Sequence, residues 1–259
     1  MEAEPLLSVR NLGRNYTARR RWGKSAPERW AIRGVSFELG REQTLGLVGP
    51  SGAGKSTLAR CLALFEMPDS GEILLQGRPL RRCDVQLIPQ QPAASFNPRF
   101  TAGEAVAEPL AIQKRGNRAM RWEAARRAMD RVGLPMHAAA RPVMEFSGGE
   151  HQRLAIARAL TLEPALLILD ESLSALDTSA QCQVLDLLRA LQAELDLTYI
   201  LISHDLALVE RMAGEIAVMD EGRMVEHRPS WELVAAPRHA TTQRLVQAAL
   251  ALSAEEAPR

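Results

Sequence analysis

Nine consecutive residues carry the most specific chemistry in this 259-residue chain: Gly49-Pro50-Ser51-Gly52-Ala53-Gly54-Lys55-Ser56-Thr57. They match G-x-x-x-x-G-K-[ST], a spacing in which a turn short of side chains wraps a phosphate with backbone N–H groups. Small residues are needed at Gly49, Gly52 and Gly54, and a helix starting there adds its partial positive charge. Lys55 supplies an ammonium for β and γ phosphates. Ser56 offers a hydroxyl to Mg2+, an ion that keeps most of its own waters and takes few protein ligands. Farther along, the apolar run 165–169 ends in two carboxylates, Asp170 and Glu171. Downstream of a phosphate loop, Asp170 is expected to hold Mg2+ through water and Glu171 to polarise an attacking water. Without that loop the pair would read as the acidic start of a helix after a core strand.

These groups need strands that end at them. Residues 44–48, 165–169 and 199–202 read as buried strands, each ending in polar residues, as the ligand-binding ends of strands do in open α/β sheets. Helical patterns follow at 58–64 and 154–160. Residues 6–9 and 35–39 alternate like strands of an antiparallel sheet. Between them, 16–30 read as a basic, turn-rich insertion with Arg19, Arg20, Arg21 and Lys24, expected to face water. From about residue 92 to 141 the pattern is helical and rich in Ala and Arg, above all at 118–132, with no comparable strand. Residues 215–219 and 223–226 flank an Asp220-Glu221-Gly222 turn and predict a closing hairpin, followed by a helical tail. Short apolar strands alternating with helices make an α/β fold.

Composition narrows the function classes. Lys+Arg 32 nearly cancel Asp+Glu 31, leaving +1, which disfavours nucleic-acid binding by bulk charge. Hydrophobic residues at 46% and charged residues at 24% exclude a disordered chain. Three scattered cysteines, Cys61, Cys83 and Cys182, offer neither a disulfide framework nor a zinc knuckle, and a reducing compartment is expected. Glu2, Glu4 and Pro5 do not resemble a signal peptide, and no run approaches the ~18–20 apolar residues of a membrane span.

The order of further motifs carries a family resemblance over about residues 6–250. Phe146-Ser147-Gly148-Gly149-Glu150-His151-Gln152-Arg153 precedes the helical run 154–160 and the acidic strand. Together with the phosphate loop, it resembles the ATP-binding subunit of an ATP-binding cassette (ABC) transporter. The resemblance implies a P-loop NTPase (RecA-like) core with an antiparallel β subdomain and an inserted α-helical subdomain. It further implies an ATP-binding domain over 1–250, the helical subdomain at about 92–150, and a polar tail at 251–259. In that family a serine and two glycines at a helix start engage the γ-phosphate of ATP held by a partner subunit. Ser147, Gly148, Gly149 and Glu150 thereby join the nucleotide-binding candidates, and small residues there expose backbone N–H groups to an anion. Gln90, in the run 86–92, falls where the family has its Q-loop glutamine, which approaches Mg2+ and the attacking water. Ser174-Ala175-Leu176-Asp177 resembles the D-loop that crosses the dimer interface. His204 matches the switch histidine that contacts the γ-phosphate. Tyr16 resembles the A-loop aromatic that stacks on adenine, with Trp22 and Trp30 as reserve candidates.

The implied ligands are ATP and Mg2+, with Ser56, Gln90 and Asp170 around the metal and Glu171, His204 and Gln90 serving hydrolysis. The implied partners are transmembrane permease subunits, a second ABC ATPase subunit, different or identical, and indirectly an extracytoplasmic solute-binding protein. No nucleic acid is implied. The implied location is peripheral, at the cytoplasmic face of the cell (inner) membrane. Residues 92–99, Ala107-Glu108-Pro109-Leu110, 204–209 and 237–250 resemble the dipeptide, oligopeptide and nickel importer branch. Asn97-Pro98-Arg99 follows the Q-loop, where that family docks a permease coupling helix. An ABC ATPase without a permease, as in carbon–phosphorus lyase systems, remains the alternative. Some positions depart from the pattern. Glu150 stands where glutamine is usual, placing a carboxylate near a phosphate-facing helix start and weakening that half-site. Ser172 replaces the commoner proline, Pro89 a usual aromatic, and 77–90 is short for the branch. The Glu150 and Ser172 changes suit pairing with a different ATPase subunit. No cysteine follows Cys182, so the iron–sulfur cluster of some branch members is not expected.

Overall fold

A computed structural model of the chain describes residues 4–16 and 28–255, with side chains as far as residue 251. The expectations for Arg19, Arg20, Arg21, Lys24 and Trp22 fall outside the described residues. In chain order the elements are β1 (Leu7–Asn15), β2 (Trp30–Leu39), β3 (Thr44–Val48), α1 (Lys55–Leu62), β4 (Ser70–Leu75), β5 (Arg78–Pro79) and β6 (Val85–Ile88). Then follow α2 (Ala102–Ile112), α3 (Arg118–Arg131), α4 (Gly148–Leu160), β7 (Leu166–Asp170), α5 (Thr178–Leu195) and β8 (Thr198–Ile202). The last are α6 (Leu206–Glu210), β9 (Glu215–Asp220), β10 (Arg223–Pro229), α7 (Ser230–Ala235) and α8 (Ala240–Glu255). They form two compact units: residues up to Arg82 with those from Tyr199 on, and Cys83–Thr198.

In the first unit an antiparallel sheet runs β2-β1-β4-β5. Leu7 pairs with Leu39 and Val9 with Phe37; the register then shifts before Leu12 meets Val35. The shift sits at Asn11, whose φ of 49° lies in the left-handed region and whose N–H donates to Ser36 Oγ at 2.8 Å. This bulge exposes Arg10 and Asn11 side by side and breaks the alternation. That is why the strand extends beyond residues 6–9. The same unit holds β3 between β8 and β9, parallel to both. All five residues of β3 and of β8 are buried, so both strands read as continuous apolar runs. Gly46 has no room for a side chain: a Cβ would lie 2.1 Å from Val209 Cγ1 of α6. The expected hairpin is present as β9 and β10 around Glu221 and Gly222, at φ 44° and 76°. Positive φ at both central residues is the turn that suits the twist of paired strands.

In the second unit β6 runs parallel to β7, with Val85 opposite Leu166 and Ile88 opposite Leu169. Helices α2, α3 and α4 pack on one another, and α4 also on α5. Their starts are capped: Thr101 and Glu104 form a reciprocal capping box at α2, Asn117 accepts from Met120 N at α3, and Asp177 from Ala180 N at α5. The helical stretch expected from residue 92 contains α2 and α3, and α3 ends one residue short of 132. Two helices begin earlier than the apolar patterns suggest, α1 at Lys55 and α4 at Gly148. In both, the first turn is made of motif residues with no apolar periodicity to mark it.

Candidate active site

The first unit carries the phosphate loop. β3 ends at Val48 and α1 begins at Lys55, so residues 49–54 turn between a buried strand and a helix start. Gly49 and Gly54 have φ of 153° and 102°, and a Cβ on either would lie 2.2 Å from a backbone carbonyl oxygen, that of Met219 or Ala31. Gly52 has φ of 80° with nothing within 4 Å of a Cβ, so its side opens into space. Lys55 is 5% exposed, and its Nζ donates to the carbonyls of Gly49 at 2.8 Å and Pro50 at 3.1 Å. The ammonium therefore lies within the turn. Gly54 caps α1 without a side-chain hydrogen bond, and no acidic residue occupies the first turn. The helix start thus keeps its partial positive charge, as anion binding requires. Ser56 is half-buried, whereas Thr57 is buried and accepts from Arg60 Nη2 at 3.2 Å. The backbone of Gly222 braces the loop by donating to Ala53 O at 3.0 Å.

His204 lies two residues beyond the end of β8 and is exposed, with buried Ser203 before it and exposed Asp205 after it. Asp205 caps α6 through Leu208 N at 3.1 Å and donates its own N–H to Ser203 Oγ at 3.0 Å. Tyr16 directly follows β1; its hydroxyl donates to Glu66, and the Arg14 guanidinium lies over its ring. Trp30, a reserve candidate, packs over Gly13 and donates Nε1–H to Glu28 at 2.8 Å.

The second unit carries the acidic strand. Asp170 is the half-buried last residue of β7. Glu171 follows in the left-handed region at φ 49°, which turns its side chain sharply off the strand line. Gln90 Nε2 donates to Glu171 Oε2 at 3.3 Å, so two residues 81 apart in sequence meet. Ser174 Oγ secures the turn by donating to Glu171 O at 2.7 Å. Buried Ser172 accepts from Gln152 Nε2 of α4 at 3.1 Å, a link that proline at 172 could not make. Sequence reasoning noted Ser172 but not its partner.

Ser147 caps α4. Its Oγ accepts from Glu150 N at 3.3 Å, and the Glu150 carboxylate accepts from Ser147 N at 2.8 Å, with Arg141 Nη1 at 3.5 Å. The Glu150 carboxylate thus turns back onto the backbone and an arginine. The Ser147 backbone N–H holds its carboxyl below the usual range, against the desolvation of partial burial and with help from the Ser147 hydroxyl and Arg141. Gly148 and Gly149 have ordinary clearance, with the nearest atoms to a Cβ at 3.8 Å on Leu176 and Ala180. Neither glycine is demanded by its own unit. Asp177 spends one oxygen on Ala180 N at 2.9 Å as the cap of α5.

Among the described residues no group of three or more His, Cys, Asp and Glu could hold a metal ion, and no helix is long and apolar enough to cross a membrane. The residues expected around Mg2+, Ser56, Asp170 and Gln90, each carry a side-chain oxygen, the donor that suits a hard cation taking few protein ligands.

A family model described as ABC transporter matches residues 32–174. The chain is 43% identical over 265 residues to the dipeptide transport ATP-binding protein DppF of Escherichia coli (strain K12), covering 98% of this chain and 79% of the relative. It is 44% identical over 261 residues to the di/tripeptide transport ATP-binding protein DppF of Pseudomonas aeruginosa (strain UCBPP-PA14), covering 96% and 80%. Among solved structures it resembles cbiO1 from Clostridium perfringens, part of the ABC transporter complex cbiONQ, with TM-score 0.78, 25% identity and 98% coverage of both chains. It also resembles the dimeric post-hydrolysis cassette MJ0796 bound to ADP and Pi, with TM-score 0.73, 25% identity, and coverage of 86% and 98%.

Proposed function

The chain belongs to the ABC transporter family as an ATP-binding, ATP-hydrolysing subunit, and from that premise we propose how its residues work and what they serve. The observation that carries the reading is the phosphate loop: a buried ammonium inside a turn of three positive-φ glycines, at a helix start without a side-chain cap. Backbone N–H groups of residues 49–57 and Lys55 bind the β and γ phosphates of ATP. Ser56, Gln90 and, through water, Asp170 would hold Mg2+, which would supply neutralisation of charge on the phosphates. Glu171 accepts a hydrogen bond from the attacking water and draws off its proton. The water oxygen bonds to the γ-phosphorus as the bond to the β-phosphate oxygen breaks, giving ADP and phosphate. Gln90, which already donates to Glu171, orients carboxylate and water together. His204 donates to the γ-phosphate, and Tyr16 stacks on adenine.

Ser147, Gly148, Gly149, Glu150 and Asp177 serve a second nucleotide, held by a partner ATPase. The clearance over both glycines, unexplained within their own unit, supports this role. So does the similarity to a cassette solved as a dimer with ADP and Pi. The partner ATPase is either a different chain or a second copy. The relatives named for dipeptide and di/tripeptide transport and for peptide import support peptide import as the process energised; nickel is the other cargo of the branch that the sequence resembles. Membrane permease subunits would carry the solute after an external binding protein delivers it, and this subunit would dock at the cytoplasmic face.

Glu171→Gln tests the hydrolytic step, because it keeps the shape and removes the base. In the complex purified from membranes with its copurifying subunits, MgATP binding is retained and phosphate release falls by about a hundredfold or more. Phosphate release near the wild-type rate refutes the assignment.

A further inference from the structure

Tyr16 belongs to a side-chain cluster that the hydrolytic chemistry does not require. Its hydroxyl donates to Glu66 Oε2. Arg60 Nε donates to the other oxygen, Oε1, at 2.5 Å. Arg14 Nε lies 3.4 Å from Glu66 Oε2, and its guanidinium carbon sits over the Tyr16 ring, 5.1 Å from the centroid. The backbone is fixed at the same place: Asn15 N donates to Asp69 Oδ2 at 2.8 Å, and Tyr16 N to Arg29 O at 2.9 Å. Partial burial works against the charge on Glu66, but Tyr16, Arg60 and Arg14 together hold its carboxyl below the usual range. Even so, Tyr16 remains 39% exposed.

A half-exposed aromatic ring held only by packing can change rotamer. Here a strong hydrogen bond fixes the end of the ring and a cation covers one face, so the ring plane is set in advance. The anchor has a second property: Arg60 lies on α1, the helix that the phosphate loop leads into and that begins at Lys55. Five residues separate Arg60 from Lys55, an axial distance of about 7.5 Å. The carboxylate therefore fixes the ring relative to the groups that bind phosphates.

We propose that Glu66 is a positioning residue for base recognition, holding Tyr16 by its hydroxyl and tying it through Arg60 to the phosphate-binding helix. The proposal rests on the stacking role assigned to Tyr16 above. Pre-setting the ring lowers the ordering cost of binding a base, so losing the tie weakens ATP and spares a ligand without a base.

The test compares MgATP with magnesium tripolyphosphate by calorimetric titration of the full-length chain and four variants. Tyr16→Ala weakens MgATP by about tenfold, the loss of one stacked base. Tyr16→Phe keeps the ring and every charge pair but removes the tie, and Glu66→Ala removes the anchor; each weakens MgATP by about three- to fivefold. The double variant Tyr16→Phe/Glu66→Ala falls no further than Glu66→Ala, and tripolyphosphate affinity stays within about twofold throughout. Wild-type ATP affinity in Tyr16→Phe, alongside weakening in Tyr16→Ala, leaves stacking intact and overturns the role of Glu66. Wild-type affinity in Tyr16→Ala overturns the stacking on which it rests. A parallel loss of tripolyphosphate in Glu66→Ala also overturns it, because the carboxylate would then act on the loop rather than the base.

Discussion

The three glycines of the phosphate loop share a motif but answer to different constraints. Gly54 is required by the protein itself, since a methyl would meet the Ala31 carbonyl at 2.2 Å, whereas Gly52 faces open space. Gly54→Ala is therefore expected to lower stability by more than about 2 kcal/mol, combining left-handed strain with a backbone clash. Gly52→Ala costs only the strain, about 1–2 kcal/mol, yet weakens MgATP at least about tenfold because the methyl enters the phosphate's space. Urea melts and nucleotide titrations separate the two; intact binding by Gly52→Ala contradicts the assignment. The phosphate loop and the acidic pair were legible in sequence because their chemistry depends on residue type at fixed spacing. Glu66 was not, because an acid after a short helix looks like any surface acid. Only the meeting of Tyr16, Arg14 and Arg60 gives it a purpose.

Among the elements, α4 shows how a local device bears on the site. Its first turn is closed by the reciprocal Ser147–Glu150 hydrogen bonds. The folded-state pKa of Glu150 is lowered, so its stabilisation is present above the ordinary carboxylate value of about 4.3 and is lost as pH falls through the lower folded value. Glu150→Gln can still accept from Ser147 N without titrating. Its stability at pH 7 should stay within about 0.5 kcal/mol of wild type, with a smaller loss between pH 7 and 3.5 in urea melts. An identical acid loss in both proteins refutes the contribution. Elements with continuous apolar runs, such as β3 and β8, were read from sequence within a residue. The hairpin of β4 and β5 and the strand β6 were not, because two to six residues of mixed polarity give no usable period. Most of β1 was hidden by the bulge at Asn11, which puts two exposed residues together.

For the whole molecule, ligand binding is linked to stability. At MgATP about a hundred times Kd, the folded state gains about 2.7 kcal/mol, which for a chain of this size is a rise of roughly 5–10 °C in Tm. Lys55→Ala should lose that rise, because the ammonium is the loop's only side-chain cation within hydrogen-bond reach of Gly49 and Pro50 among the described residues. A full shift in Lys55→Ala, read by differential scanning fluorimetry, refutes the assignment. The near-neutral charge of +1, legible from the first count, argues against polybasic attraction to lipid by bulk charge. The brace beneath the phosphate loop has a consequence in time. Met219 O underlies Gly49, and Gly222 N donates to Ala53 O. On the ribosome, at about 5–20 residues per second, the loop emerges roughly ten to thirty seconds before the hairpin that completes it, about 170 residues later. The contacts that brace the phosphate loop therefore form only once the last strands, β9 and β10, have been made.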